Sequence, residues 1–155
     1  MSVLLTTQKI IKEWTDYNNH MNLSYYILVF DMGAEVFLSK FQMGEHSAKT
    51  TKKSTMVVES HITYNQEVKE DDDVDINLIY CDYDKKRIQY KLEMIHAEKK
   101  YLAASLEALS LYVDLNERKV SDFDEKKIKL MSEFIKKNKL VFNDNDLKFS
   151  NKLKK

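Results

Sequence analysis

One run, residues 23–41, leaves few choices of fold. Leu23, Tyr26, Ile27, Phe30, Ala34, Phe37, Leu38 and Phe41 recur at helical spacing, and Leu28, Val29, Met32 and Val36 fill much of the other side. A helix of about five turns that is apolar nearly all round must be largely buried, so something must wrap around it. Asn22 is a good N-cap for this helix, and Gly44 follows closely enough to end it.

The second half of the chain supplies the wrapping. Residues 55–67, 73–82, 86–97 and 101–114 have strand-like composition. Val74, Ile76, Leu78 and Tyr80 alternate with polar or mixed residues. Ile88, Tyr90, Leu92 and Met94 alternate with Arg87, Gln89, Lys91 and Glu93. That is period two, with one face buried. Residues 83–86 and 97–100 suit tight hairpins. Residues 102–106 are apolar on both faces, as in a central strand. Residues 3–13 read as a weaker first strand. Residues 122–137 read as an amphipathic closing helix, with Phe123, Ile128, Met131, Phe134 and Ile135 inward. A strand, a buried helix, a four-strand antiparallel meander and a closing helix make an α+β order. Residues 1–137 form one domain in this reading. Residues 138–155 form a polar tail, expected to be mobile or to pair with a partner.

Composition removes several function classes. A chain of 155 residues can bury a core without staples. The one cysteine, Cys81, forms no disulfide framework or thiolate metal cluster and is expected to be inert in its strand. With two glycines and no proline there is no phosphate-cradling loop and no dinucleotide fingerprint. Lys+Arg and Asp+Glu are equal at 25, which argues against nucleic acid as a partner. No stretch approaches the ~20 apolar residues of a membrane span. The start has neither the basic flank nor the apolar run of a signal peptide. A soluble, cytoplasmic protein with no membrane partner is expected.

Chemistry concentrates in Asp16-Tyr17-Asn18-Asn19-His20-Met21-Asn22. Asp16, Asn18, His20 and Asn22 are spaced two apart, so in an extended stretch their side chains share one side. The segment runs straight into the helix, whose first N–H groups are free. A carboxylate, an amide and an imidazole beside such a dipole are the ingredients of acyl transfer. The same residues also serve ordinary turn and cap chemistry, and spacing alone leaves both readings open.

This segment resembles the motif of the hotdog-fold thioesterase superfamily, D-x-N-x-H-x-N followed by a tyrosine, here Asp16, Asn18, His20, Asn22 and Tyr26. The resemblance is to the 4-hydroxybenzoyl-CoA thioesterase group, and most of all to its betainyl-CoA thioesterase-like branch. It continues through residues 58–64, 103–107 and 112–114, covering roughly residues 5–135. It implies a hotdog fold: a five-stranded antiparallel sheet around a long central helix, plus a C-terminal helix. It also implies hydrolysis of a small acyl-CoA, with acyl-ACP hydrolysis or non-catalytic acyl-thioester binding as alternatives. Asp16 would then be nucleophile or general base. Asn18 or His20 would orient water or the carboxylate, with backbone N–H groups near Leu23 facing the oxyanion. Tyr17 and Asn22 would contact substrate. Glu59 and His61 share one side of the next strand. They are either catalytic and substrate-binding residues beside the loop or an exposed polar pair.

The resemblance implies no metal or other cofactor, the CoA thioester being substrate, and a homodimer or homotetramer. Lys52-Lys53 and Lys85-Lys86-Arg87 are candidates for the CoA phosphates, and Trp14, Tyr17 and Tyr64 for the walls around a cationic acyl group. The family has glycine where this chain has Asn19, a residue that tolerates a left-handed backbone. Tyr25, Tyr26 and His96 are expected in the core or an interface, and His46 in a solvated loop.

Overall fold

The computed structural model describes residues 2–142, 147–148 and 152–155. Strand β1 (Val3–Lys9) leads through a 3-10 turn (Lys12–Trp14) and a polar loop into helix α1 (Leu23–Lys40). A short helix α2 (Glu45–Thr51) follows, then strands β2 (Lys53–Tyr64), β3 (Asp73–Tyr83), β4 (Arg87–His96) and β5 (Leu102–Asp114). A two-residue strand β6 (Lys119–Val120) precedes helix α3 (Glu125–Lys137). The antiparallel sheet runs β1-β3-β4-β5-β2, with β6 on the end of β5. The architecture is α+β, as expected. It has one more strand and one more helix than the sequence patterns show. α2 was missed because Glu45–Thr51 has no apolar periodicity, so His46 is exposed on a helix rather than in a loop.

Hydrophobic alternation sets which face of the sheet meets α1. Ile88, Tyr90, Leu92 and Met94 are buried on β4, opposite Ser110, Ala108, Leu106 and Ala104 of β5. Phe37 of α1 meets Tyr90 edge to face, with ring centroids 4.9 Å apart. Phe41 packs against Phe134 of α3 at 5.3 Å, so the closing helix seals the far end of α1. Asp124 caps α3 by accepting the Lys127 N–H at 2.9 Å. Cys81 is buried, which pushes its thiol well up, and it sits inert in β3 as expected. His96 is a buried residue whose ring lies against Tyr101.

Two features depart from the sequence reading. α1 is not enclosed all round: Tyr26, Val29, Phe30, Gly33, Ala34, Phe37 and Leu38 are buried, but Leu23 is 61% exposed, Ile27 48% and Leu28 40%. A single curled sheet covers one side of a helix, and nothing else among the described residues covers these positions. The second departure is on the sheet's outer face, where Gln89 and Glu107 are buried although they point away from α1. Tail residues lie over them. The Lys148 N–H donates to Glu107, the Lys152 N–H to Gln89 Oε1 at 3.0 Å, and the Lys154 N–H to Asp84 Oδ2 at 2.8 Å. The rest of the expected tail, 143–146 and 149–151, lies outside the described residues. No helix among the described residues is long and apolar enough to cross a membrane.

α1 approaches the sheet closely at Gly33, where a Cβ would stand 2.5 Å from Ile76 Cγ2. Gly33→Ala is therefore expected to destabilise the fold by about 1–3 kcal/mol in urea unfolding, although alanine favours a helix. Combining it with Ile76→Ala should cost less than the sum of the two single changes, because the second removes the clashing methyl.

Candidate active site

The loop before α1 is turn-like, as its Asp and Asn content implies, and not an extended stretch in which the four polar side chains would share one side. It is a tight hairpin turn. Thr15 bridges Met21, and the Asp16 N–H donates to the His20 carbonyl at 3.3 Å. The Asn19 N–H donates to the Asp16 carbonyl at 3.0 Å, and Asn19 takes the left-handed conformation with φ 62°. The Asp16 carboxylate closes the turn by accepting the Asn18 N–H at 2.8 Å. Asp and Asn form such local bonds readily, and here they win over extension. The turn is anchored on both sides: the buried Met21 donates its N–H to Val68, and Asn22 donates its own to Trp14, both at 2.8 Å.

Asn22 does two things at once. Its Oδ1 accepts the Ser24 N–H at 3.1 Å and the Ser24 hydroxyl at 2.5 Å, capping α1. Its Nδ2 donates to Asp16 Oδ2 at 2.8 Å. Each oxygen of Asp16 thus accepts a hydrogen bond, one from a backbone N–H and one from an amide. The Asn18 N–H, then the Asn22 amide, and more weakly the charge at His20 hold the Asp16 carboxyl below its ordinary value. Asp16 is therefore ionised at neutral pH. Leu23 follows at the helix start, and its backbone N–H has no acceptor among the described residues.

These residues line a cleft of about 430 Å³. Asp16, Tyr17, Asn18, His20, Asn22 and Leu23 form one side, and Tyr26 and Tyr64 meet edge to face at 5.2 Å across its base. Tyr17 is 91% exposed at the rim. The opposite wall, residues 65–67, was not picked out from the sequence. Its polar composition reads as a plain strand end, and only tertiary hydrogen bonds bring it here. The Ala103 carbonyl accepts the N–H groups of Asn65 and Gln66, and the Tyr101 hydroxyl donates to the Glu67 carbonyl at 2.6 Å. His20 Nδ1 lies 2.9 Å from the Met21 carbonyl, so that nitrogen carries a proton and the ring braces the turn. This suits His20 as an orienter more than as a proton shuttle.

Glu59 and His61 are not brought to this cleft within the chain. Ile62 packs on the core and Tyr64 on Tyr26, so alternation along β2 turns Glu59 and His61 to the outer face. Glu59 there lies 3.8 Å from the Lys152 ammonium. Trp14 stacks on Tyr25 rather than lining the cleft. The candidate phosphate cations also lie elsewhere. Lys85 and Lys86 face Asp122, Arg87 pairs with Asp84, and Lys53 donates to Ser121. Among the described residues no group of three or more His, Cys, Asp or Glu could hold a metal ion.

Residues 11–138 match the family model described as the thioesterase-like superfamily. The chain belongs to the thioesterase-like superfamily. A betainyl-CoA thioesterase of Pseudomonas aeruginosa is 31% identical over 113 residues, which is 72% of this chain and 67% of that protein. Among solved structures, the Staphylococcus aureus protein SAV2348, determined in complex with CoA, superposes with a TM-score of 0.82 at 22% identity, covering 97% of both chains. A DHNA-CoA thioesterase, also from Staphylococcus aureus, superposes with a TM-score of 0.80 at 15% identity, over 90% of this chain and 94% of the other. The fold is the hotdog fold of these thioesterases, and the enzyme class is thioester hydrolase.

Because Asn22 both caps α1 and holds Asp16, Asn22→Ala should act twice. Loss of the cap should cost about 1 kcal/mol of stability, and the Asp16 carboxyl should titrate at a higher pH, read by carbon NMR of the side chain. The stability that Asp16 draws from its lowered value is fully present above the unfolded carboxyl pKa of ~3.9. It is lost as pH falls through the folded value, and less of it remains to lose in the variant.

Proposed function

We propose that this protein hydrolyses a small acyl-CoA, related to betainyl-CoA, to the free acid and CoA, with Asp16 as the reacting carboxylate. The observation that carries this reading is the ionised Asp16 held by Asn18 and Asn22 at the mouth of a cleft, beside the free N–H at the start of α1. A carboxylate held below its ordinary pKa is a poor proton acceptor but remains a nucleophile. Either route needs the ionised carboxylate, and the reading taken is the nucleophilic one, because the turn fixes the carboxylate beside the N–H groups that would hold the oxyanion. Asp16 attacks the thioester carbonyl, the CoA thiolate leaves, and water hydrolyses the resulting mixed anhydride. The Leu23 N–H supports the oxyanion as it forms, and His20 and Asn18 keep the turn in shape. Tyr17, Tyr26 and Tyr64 offer aromatic walls suited to a compact acyl group. The likeness to a betainyl-CoA thioesterase supports the betainyl-type acyl group, and the CoA complex of the SAV2348 structure supports CoA over a carrier protein.

The working unit in this reading is a homodimer or a dimer of dimers. β2 is a 12-residue edge strand that, among the described residues, pairs only with β5, and its Met56, Val57 and Val58 are exposed. A long apolar edge of this kind is unfavourable in a lone chain and is removed by a second copy. Glu59 and His61 would then lie on the partner's side of that contact.

Three measurements test the proposal. Thiol release from short, cationic and aromatic acyl-CoAs should be clear for the wild type and about a thousandfold or more lower for Asp16→Asn. Its kcat/KM should stay level from pH 8 down to about pH 5, because Asp16 ionises below the usual ~3.9. Equal rates in the two proteins would remove Asp16 from the chemistry. In analytical ultracentrifugation the wild type should sediment as an even-numbered oligomer, and Val58→Lys should shift it toward monomer.

A further inference from the structure

The wall of the cleft opposite Asp16 is formed by residues 65–67, which lie outside any strand or helix. Backbone bonds fix the first two. The Asn65 and Gln66 N–H groups both donate to the Ala103 carbonyl, at 2.8 and 3.1 Å. Glu67 is held differently. The Tyr101 hydroxyl donates to its carbonyl at 2.6 Å, and this is the one hydrogen bond of the Glu67 backbone among the described residues. The next residue, Val68, is buried, and its carbonyl accepts the Met21 N–H at 2.8 Å. Met21 bridges Thr15 across the turn that carries Asp16. A side chain distant in sequence thus grips the point where the wall passes into the anchor of the turn.

Tyr101 is itself held in a fixed place. It ends the hairpin between β4 and β5, where the His96 N–H donates to its carbonyl at 2.9 Å. Its ring lies against the buried His96 ring, with centroids 4.9 Å apart. The Lys99 N–H donates to His96 Nδ1 at 3.0 Å, which leaves the ring proton on Nε2, facing Asp72 Oδ1 at 3.3 Å. Asp72 Oδ2 accepts the Lys69 N–H at 2.8 Å. One tight hairpin therefore meets the loop between β2 and β3 twice, at Glu67 through Tyr101 and at Asp72 through His96. Burial, and then the charges of Asp72 and Glu67, push the Tyr101 phenol up, so it stays protonated and able to donate.

We propose that Tyr101 is a positioning residue for the thioesterase site: its hydroxyl fixes the Glu67 peptide, and through it the width of the cleft across from Asp16. This rests on the cleft being the acyl-CoA site and adds the group that holds its far wall. Tyr101 does not line the cleft, so it acts through Glu67 and not on the substrate. Its loss should loosen the wall and leave the carboxylate in place, because Asp16 is held on the other side by Asn18 and Asn22. The effect should fall on substrate binding more than on turnover.

The test compares Tyr101→Phe with Thr7→Val. The first keeps the ring against His96 and removes only the hydroxyl. The second removes a bond of the same length, from Thr7 Oγ1 to Asp75 Oδ1 at 2.6 Å, at the opposite edge of the sheet from β2. Steady-state hydrolysis is measured on the acyl-CoA that the wild type cleaves fastest, together with amide hydrogen exchange of each folded protein. Tyr101→Phe should raise KM by about three- to tenfold and keep kcat within about twofold. Its Asn65 and Gln66 amides should exchange faster, while those of Asn18 and Asn22 keep the wild-type rate. Thr7→Val should leave KM and these amides as they are. An unchanged KM in Tyr101→Phe, a loss of kcat alone, or an equal rise of KM in Thr7→Val would overturn the assignment and leave the thioesterase reading standing. No hydrolysis of any acyl-CoA by the wild type would overturn both.

Discussion

The rest of the molecule depends on the burial of one side of α1 against a curled sheet. The helix has too many apolar residues to stand in water, and the sheet has one apolar face to offer. Their contact is close enough that position 33 has no room for a Cβ beside Ile76. With the helix axis so placed, its N-terminus comes to the rim of the sheet, next to the end of β2 and the loop before Val68. The cleft is the gap left there. Because the sheet reaches round only part of the helix, Leu23 and Ile27 stay accessible from the seam between α1 and β2.

Asn22 joins this packing to the chemistry. A helix N-cap is needed wherever α1 begins, and asparagine meets that need with its oxygen. The same amide has an N–H to spare, and it is spent on Asp16. The carboxylate is thus referenced to the helix start, where its charge also meets the positive end of the dipole. An acid surrounded by donors remains ionised and stays in place. Those properties keep the carboxylate charged and fixed in position at the cleft.

The two faces of the sheet have separate tasks. The inner face carries the core and, through Tyr64, part of the cleft. The outer face carries Glu59, His61, Gln89 and Glu107, where the described tail residues lie across it. Backbone N–H groups of the tail meet side-chain acceptors of the sheet there, which satisfies one oxygen each of Gln89 and Glu107, while Gln89 Nε2 and Glu107 Oε2 stay buried without a hydrogen bond among the described residues. A period-two pattern tells which residues share a face. It does not tell what covers that face.

Much of this was legible in the residues themselves. The spacing of Leu23 to Phe41, the alternation in β3 and β4 and the cap at Asn22 are local signals, written over a few turns or strand steps. Hence the α+β order and the main elements could be read from them, and the D-x-N-x-H-x-N pattern marked Asp16, Asn18, His20 and Asn22 for attention. Asn19 could be expected to take a left-handed backbone because its side chain permits one. What lay outside local pattern needed the fold. The polar loop closed into a turn because Asp16 bonds its own backbone, a contest between local hydrogen bonding and extension that spacing does not decide. Glu59 and His61 turned away from the cleft because Ile62 and Tyr64 claim the inner face. Residues 65–67 became a wall only through Ala103 and Tyr101, distant in sequence.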